Sequence, residues 1–227
     1  MGGNGAEMSE WSKEDDLRSF VLRTRGFEPR SQQLKNTTSC IHRMKLSRVH
    51  DVASLTFLAP FSVMCVAEVF FGYVVYPLFL THALFMYMGI DLIWNYFNPH
   101  SYRDLIICHH IVCLLALTRA LVYPEEAFII SLGGLVEIDT SLLTLRRLLP
   151  RSTPIHEVVD LLYHVSNLLI RVFYETFFTL FIFYVYSDHS LLVKMSVYPL
   201  QIFINIFSCG ICALTYMKRN PALKNKI

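Results

Sequence analysis

Long apolar runs, separated by short polar or proline-containing turns, most constrain what this chain can fold into. A helix needs about 20 predominantly apolar residues to cross the roughly 30 Å of hydrocarbon in a bilayer. Only 17% of the residues are charged, against about a quarter in soluble domains. Because lipid offers no partners to free backbone groups, the spans are expected to be helical. The sequence therefore predicts an all-α membrane protein with six transmembrane helices, which cover Val52–Tyr76, Leu78–Phe97, Leu105–Val122, Ala127–Leu149, Val158–Tyr186 and Leu191–Met217.

The polar residues outside these runs predict three regions: a largely disordered arm at 1–45, the transmembrane domain at 46–219 and a short basic tail at 220–227. Residues 1–31 contain no apolar stretch typical of a cleavable signal peptide, so we expect the first span to act as a signal anchor. The net charge of +2 is too small to favour nucleic-acid binding. We expect no bound metal ion or cofactor.

The distribution of Lys and Arg predicts the orientation of the bundle. If the N-terminus lies in the cytosol, eleven basic residues flank the helices on the cytosolic side and only Arg119 and Lys194 lie on the other side. We therefore expect both termini in the cytosol. The sequence Asn36-Thr37-Thr38 matches a glycosylation site, and with this orientation it should stay unmodified.

Ionisable residues inside spans are costly and usually face a bundle interior or a cavity. In the fifth run the polar residues His164, Asn167, Arg171 and Glu175 recur on one helical face, and Asp160 extends this face by one turn. We expect the stripe to face inward, with Arg171 and Glu175 paired, and the apolar face to meet lipid. Polar contacts between helices, worth about 0.6–2 kcal/mol each, are the alternative to a functional cavity.

Other intramembrane ionisable residues are Asp91 in the second run and Glu137 and Asp139 in the fourth. The adjacent pair His109-His110 begins the apolar part of the third run. Neighbouring residues on a helix point about 100° apart, so the pair cannot hold one metal ion together, and at least one imidazole should face the bundle. That imidazole could act as a base, nucleophile or proton relay, or the pair could be an interfacial anchor.

The order and spacing of these residues resemble the TLC domain, the homology domain shared by ceramide synthases, translocon-associated TRAM proteins and CLN-type membrane proteins. The resemblance extends from about Lys45 to Arg219. It rests on Ser47-Arg48-Val49-His50, Gly89-Ile90-Asp91-Leu92, His109-His110-Ile111-Val112, the segment from Gly134 to Ser141, Asn167 with Arg171, and Asn205.

The resemblance implies a six-helix, barrel-like bundle with a polar cavity, usually in the endoplasmic reticulum or a related membrane. Ceramide synthases carry a later His-Asp pair, where this chain has Val136-Glu137-Ile138-Asp139, and no homeobox-like insertion precedes the bundle. The chain is therefore more similar to the other branch, whose members are tied to membrane lipid composition, sphingolipid homeostasis or protein transport.

Three functions follow as hypotheses. The first is binding or sensing of a membrane lipid, with a sphingoid or acyl chain held in the cavity. The second is an N-acyltransferase with acyl-CoA as co-substrate, in which His109 or His110 acts as base or nucleophile, Glu137 or Asp139 orients it, and Arg171 stabilises an oxyanion. The third is lipid or cargo transport. The residues expected to line the cavity are Asp91, His164, Asn167, Arg171, Glu175 and Asn205. The sequence leaves the oligomeric state open.

Overall fold

The computed structural model describes the backbone of residues 30–72, 77–98 and 102–219, and the side chains of these residues from 46 to 217. This part of the chain is helical between its turns and contains no strand. The chain divides into two units, residues 1–49 and residues 50–227, and the contacts described below lie within the second.

Within the described residues, six helices are long and apolar enough to cross a membrane, as the sequence predicts. We number these spans one to six in chain order. They are Leu46–Phe71, Pro77–Phe97, Arg103–Val122, Pro124–Leu148, Pro154–Val185 and Leu191–Met217.

The first and last spans belong to longer helices, Arg30–Phe71 and Leu191–Arg219. The helix that contains span one thus begins at Arg30, inside the segment 1–45 for which disorder was expected. Residues 1–29, for which disorder was also expected, and the basic tail 220–227 lie outside the described residues.

Span four is not a regular α-helix throughout. A 3₁₀ turn at Pro124–Glu126 leads into the helix Ala127–Gly133, and a second 3₁₀ turn at Gly134–Val136 leads into the helix Glu137–Leu148. The helix ends where Leu149 becomes extended, which is the conformation favoured by a residue that precedes a proline.

Span five begins at Pro154, after Thr153, whose hydroxyl oxygen accepts a hydrogen bond from the backbone N–H of His156. Proline at the first helical position and threonine as the cap are a favoured combination. The α-helix Pro154–Leu168 passes into a π-helical segment, Leu169–Tyr174, and then into the α-helix Glu175–Val185. The π segment contacts the second 3₁₀ turn of span four, and such irregular turns are frequent at functional sites.

Five of the spans form a closed ring. Span two packs on spans three and four, span six packs on spans three and five, and spans four and five pack on each other. Span one packs against spans two and four. His50 Nε2 lies 2.7 Å from Asp91 Oδ1 of span two, and Phe61 and Cys65 approach Gly134 of span four so closely that a Cβ atom at Gly134 would lie 2.7 Å from the Cys65 sulfur. The ring places the inward faces of spans two to six around a common centre.

Candidate functional site

A cavity of about 150 Å³ lies at the centre of the ring, lined by residues of spans two to six. A cavity of this volume accommodates a group of about the size of benzene. Its middle is apolar, with Leu84, Leu117, Ile130 and Phe178 among the lining residues. Two polar clusters line the rest. We call them the Arg171 cluster, which consists of His109, Glu137, Arg171, Glu175 and Ser208, and the Arg119 cluster, which consists of Arg119, Glu126 and Tyr186.

Arg171 lies in the π segment of span five and is paired across the ring with span four. Its Nε donates to Asp139 Oδ2 over 2.9 Å, and its Nη2 donates to Thr140 Oγ1 over 2.8 Å. Asp139 also accepts hydrogen bonds from Ser166 and Asn167, at 2.9 and 3.0 Å. Both members of the ion pair are buried, so these bonds offset much of the cost of removing two charges from water.

The expected pairing of Arg171 with Glu175 is replaced by this bond to Asp139. Arg171 lies inside the π segment and Glu175 directly after it. Because a π-helix has wider turns than an α-helix, the angle between the directions of these two side chains differs from that in a regular α-helix. Glu175 is 1% exposed and accepts a hydrogen bond from Gln201 Nε2 of span six over 3.0 Å. Gln201 also donates to Thr179, so spans five and six are joined next to the cavity.

The two adjacent histidines face different surroundings. His109 lines the cavity and stacks on Phe207 of span six, with ring centroids 3.9 Å apart and planes 10° from parallel. The sulfur of Cys113 lies 3.6 Å from His109 Nε2. His110 is buried and contacts Asp91 of span two, so only His109 presents its imidazole to the cavity.

Both ring nitrogens of His110 are engaged. Nδ1 lies 2.7 Å from the carbonyl oxygen of Ile106, and Nε2 lies 2.7 Å from Asp91 Oδ2. A carbonyl oxygen only accepts hydrogen bonds, so Nδ1 carries a proton, and the contact with Asp91 requires a second proton between the imidazole and the carboxyl group. His110 therefore belongs to a structural ion pair or its neutral equivalent, and neither of its nitrogens is available as a base.

Asp91 joins spans one, two and three. Its Oδ1 lies 2.7 Å from His50 Nε2, and its Oδ2 accepts a hydrogen bond from Asn95 Nδ2 over 2.8 Å. The His50 ring stacks on Trp94 at 4.5 Å. His50 is marked in the sequence only as part of the motif Ser47-Arg48-Val49-His50, and the signal for Asn95 is its position four residues after Asp91, on the same helical face.

A second polar group joins spans four and five at the end of the bundle where span four ends. Arg146 Nε lies 2.5 Å from Asp160 Oδ1, and His164 Nε2 lies 3.5 Å from the same oxygen. The Arg146 guanidinium also lies over the Tyr163 ring, 5.3 Å from its centroid. His164 therefore packs among helices rather than against the cavity.

Four of the ten predicted site residues line the cavity and six do not. His109, Glu137, Arg171 and Glu175 line it. Asn205 is bonded to Thr176 at 3.3 Å, on a partly exposed seam between spans five and six. The six predicted residues outside the cavity lining are Asp91, His110, Asp139, His164, Asn167 and Asn205.

The Arg119 cluster was not predicted as a site, because Arg119 figured only in the charge count. Arg119 Nε and Nη2 donate to the two carboxylate oxygens of Glu126, over 2.8 and 2.6 Å. The guanidinium also lies 5.0 Å from the ring centroid of Tyr123 and 5.3 Å from that of Tyr186. Burial raises the pKa of Tyr186 to about 12. The only sequence signal for this cluster is an Arg and a Glu on either side of the turn at Pro124.

The described residues contain no group of three or more His, Cys, Asp or Glu side chains arranged to hold a metal ion. No family model matches the chain, and comparisons with curated protein sequences and with solved structures found no match either. The resemblance to the TLC domain therefore remains a prediction from the sequence.

Proposed function

We propose that this membrane protein binds a membrane lipid at the helical ring, with the polar part of the lipid at the Arg171 cluster and the adjoining part of its alkyl chain in the cavity. The observation that carries this proposal is the polarity of the cavity: an apolar middle lies between two polar clusters. Such a division matches an amphiphilic molecule, because the alkyl portion meets apolar walls while a few convergent polar groups fix the head group.

The two clusters are spaced along the length of span three. Ten residues separate His109 from Arg119 on span three, and a helix rises about 15 Å over that length. The side chains between them that line the cavity are Cys113, Ala116 and Leu117, none of which is charged.

The biological setting of this binding is also a proposal. The excess of Lys and Arg at one side favours both termini in the cytosol, and the resemblance to the TLC domain favours the endoplasmic reticulum or a related membrane. In that setting the protein would sense or regulate sphingolipid or phospholipid composition.

An acyl-CoA-dependent N-acyltransferase is the second candidate, favoured by the imidazole of His109 in the cavity. In this reaction an amine attacks the thioester carbonyl, His109 accepts the amine proton, and the CoA thiolate leaves and takes up that proton. His110 cannot serve as this base because Asp91 and Ile106 occupy both its nitrogens. Asp139 is bonded to Arg171 and Asn167. Of the two acidic residues Glu137 and Asp139, only Glu137 therefore lines the cavity together with His109.

Lipid binding is tested with the purified full-length chain in detergent. The probe is palmityl alcohol that carries a photoreactive diazirine in its chain and a terminal alkyne for detection. We expect saturable labelling of peptides from spans three to six, reduced by an excess of unlabelled palmityl alcohol. Labelling that does not saturate, or that maps only to the outer faces of the spans, would contradict the proposal.

Two neighbouring residues of span three supply matched variants. Ala116 lines the cavity, whereas Leu115 is 54% exposed on the outer face. Ala116→Phe should fill the cavity and abolish labelling, Ala116→Val should reduce it in part, and Leu115→Phe should leave it unchanged. Thermal unfolding of each variant checks that the bundle is folded. If a folded Ala116→Phe variant is labelled as strongly as the wild type, the proposal is wrong.

Catalysis is tested separately by supplying palmitoyl-CoA and a sphingoid amine and detecting the amide by mass spectrometry. Product formed by the wild type and lost in His109→Ala would favour the acyltransferase. Lipid labelling without amide would assign the chain to lipid binding.

A further inference from the structure

Eight of the sixteen Ser and Thr hydroxyls in the described spans share one arrangement. Each donates to the backbone carbonyl oxygen four residues earlier, the usual arrangement for Ser and Thr within a helix. In the described part of the chain this holds for Thr56, Ser62, Thr81, Thr118, Ser141, Thr144, Thr179 and Thr215.

Two buried serine hydroxyls of the described residues have no hydrogen-bond partner in the protein. Ser131 is fully buried and Ser208 is 1% exposed. A buried hydroxyl without a partner is unfavourable and calls for an explanation. Only Ser208 lines the cavity.

Contacts between spans place Ser208 at the level of the Arg171 cluster. The next residue, Cys209, has its sulfur 3.9 Å from the carbonyl oxygen of Arg171, and the preceding residue, Phe207, stacks on His109. Span six thus carries a buried hydroxyl to the polar part of the cavity, where Arg171 and His109 also lie.

We propose that Ser208 binds the polar group of the lipid, by donating a hydrogen bond from its hydroxyl to an uncharged oxygen such as a hydroxyl or an ester or amide carbonyl. This inference rests on the proposed lipid binding and specifies the contact that selects the head group. It explains why the Ser208 hydroxyl has no partner in the protein, because the ligand supplies one.

The charges around Ser208 favour an uncharged oxygen over a carboxylate or phosphate. The positive charge of Arg171 is already balanced by Asp139. The cluster contains two further carboxyl groups, Glu137 and Glu175. An anionic head group would therefore find no unpaired cation in the cluster, whereas a hydroxyl or carbonyl oxygen can accept from Ser208 without adding charge.

The experiment compares Ser208→Ala with Ser131→Ala, which removes an equally buried, partnerless hydroxyl away from the cavity. Labelling by the photoreactive palmityl alcohol is competed with palmityl alcohol, palmitoyl glycerol, palmitic acid or hexadecane. We expect Ser208→Ala to weaken competition by the alcohol and the glycerol ester about fivefold, the order of one neutral hydrogen bond. Hexadecane, which has the chain without a head group, should compete equally in the variant and the wild type.

The unfolding temperature supplies an independent readout. Because each substitution removes a hydroxyl without a partner in the protein, neither variant should unfold at a lower temperature than the wild type without ligand. Only Ser208→Ala should lose part of the temperature increase that palmityl alcohol produces in the wild type.

The outcomes separate this inference from the proposed function. If Ser208→Ala binds the alcohol like the wild type while Ala116→Phe still blocks labelling, the role of Ser208 is wrong and lipid binding stands. Equal losses for the alcohol and hexadecane, or equal losses in Ser131→Ala, would also overturn the role of Ser208. A wild type that is not labelled saturably overturns lipid binding and this inference together.

Discussion

Arg171 in the π segment of span five donates to Asp139 in span four over 2.9 Å, and the two side chains are 8% and 1% exposed. This buried pair joins the two spans whose backbones depart from regular α-helix. It also forms part of the cavity wall through Arg171.

Removing either charge of this pair should destabilise the bundle. Because Arg171→Met leaves Asp139 buried without its cation, we expect a loss of about 3 kcal/mol or more in the free energy of unfolding. Asp139→Leu should have a similar effect. The double variant should regain much of the loss, since it leaves no uncompensated charge. Unfolding in detergent, analysed as a double-mutant cycle, measures the coupling, and additive losses would contradict it.

The two histidines should give opposite results in stability and ligand binding. His110→Ala removes a partner of Asp91 and should lower the free energy of unfolding by about 2 kcal/mol. His109→Ala removes a ring stacked on Phe207 and should cost only about 1 kcal/mol, yet it should change labelling by the lipid probe. Thermal unfolding and photolabelling of both variants test this assignment, and a His109→Ala variant with normal labelling would contradict it.

The sequence was sufficient to predict which face of span five is buried in the bundle. Hydrophobicity over a span length defines a helix regardless of its neighbours, and the 3.6-residue period separates the two faces of span five. The polar face is buried, and the apolar residues expected opposite it are exposed. Those exposed residues are Leu162, Leu169, Phe173 and Leu180.

The sequence was not sufficient to predict which partner each buried polar group has. Arg171 could pair within its helix at regular spacing, and only the π segment and the approach of span four favour Asp139. The 100° between His109 and His110 requires them to diverge but does not say which one faces the cavity. Such choices depend on contacts between spans that are far apart in sequence.

Substitution of Gly134 should show how closely span one packs on the ring. A Cβ atom there would lie 2.7 Å from the sulfur of Cys65, which is fully buried. Gly134→Ala should therefore lower the free energy of unfolding by about 1–3 kcal/mol. Gly89, with no atom within 4 Å of an added Cβ, is the control, and Gly89→Ala should be neutral or stabilising. Equal unfolding temperatures for the two variants would contradict the close approach.

Tyr186 should make the Arg119 cluster sensitive to alkaline pH. Burial raises its pKa from 10.0 to about 12, so the folded state favours the neutral phenol. The resulting stabilisation is complete below pH 10 and is lost as the pH rises from about 10 through 12. It amounts to about 3 kcal/mol. Tyr186→Phe keeps a ring near Arg119 and should remove this part of the pH dependence, which unfolding measured at a series of pH values would detect. An unchanged slope would contradict the burial of the phenol.

The orientation of the bundle can be tested at two exposed loops that the spans should place on opposite sides of the membrane. An inserted glycosylation cassette with flexible flanks should be modified between Asp188 and His189, in the loop between spans five and six. The same cassette should remain unmodified between Arg151 and Ser152, in the loop between spans four and five. The basic residues Arg146, Arg147 and Arg151 near this second loop favour its retention in the cytosol. Because both loops would carry the same cassette, glycan at the second loop and not at the first would reverse the orientation while leaving the number of spans intact.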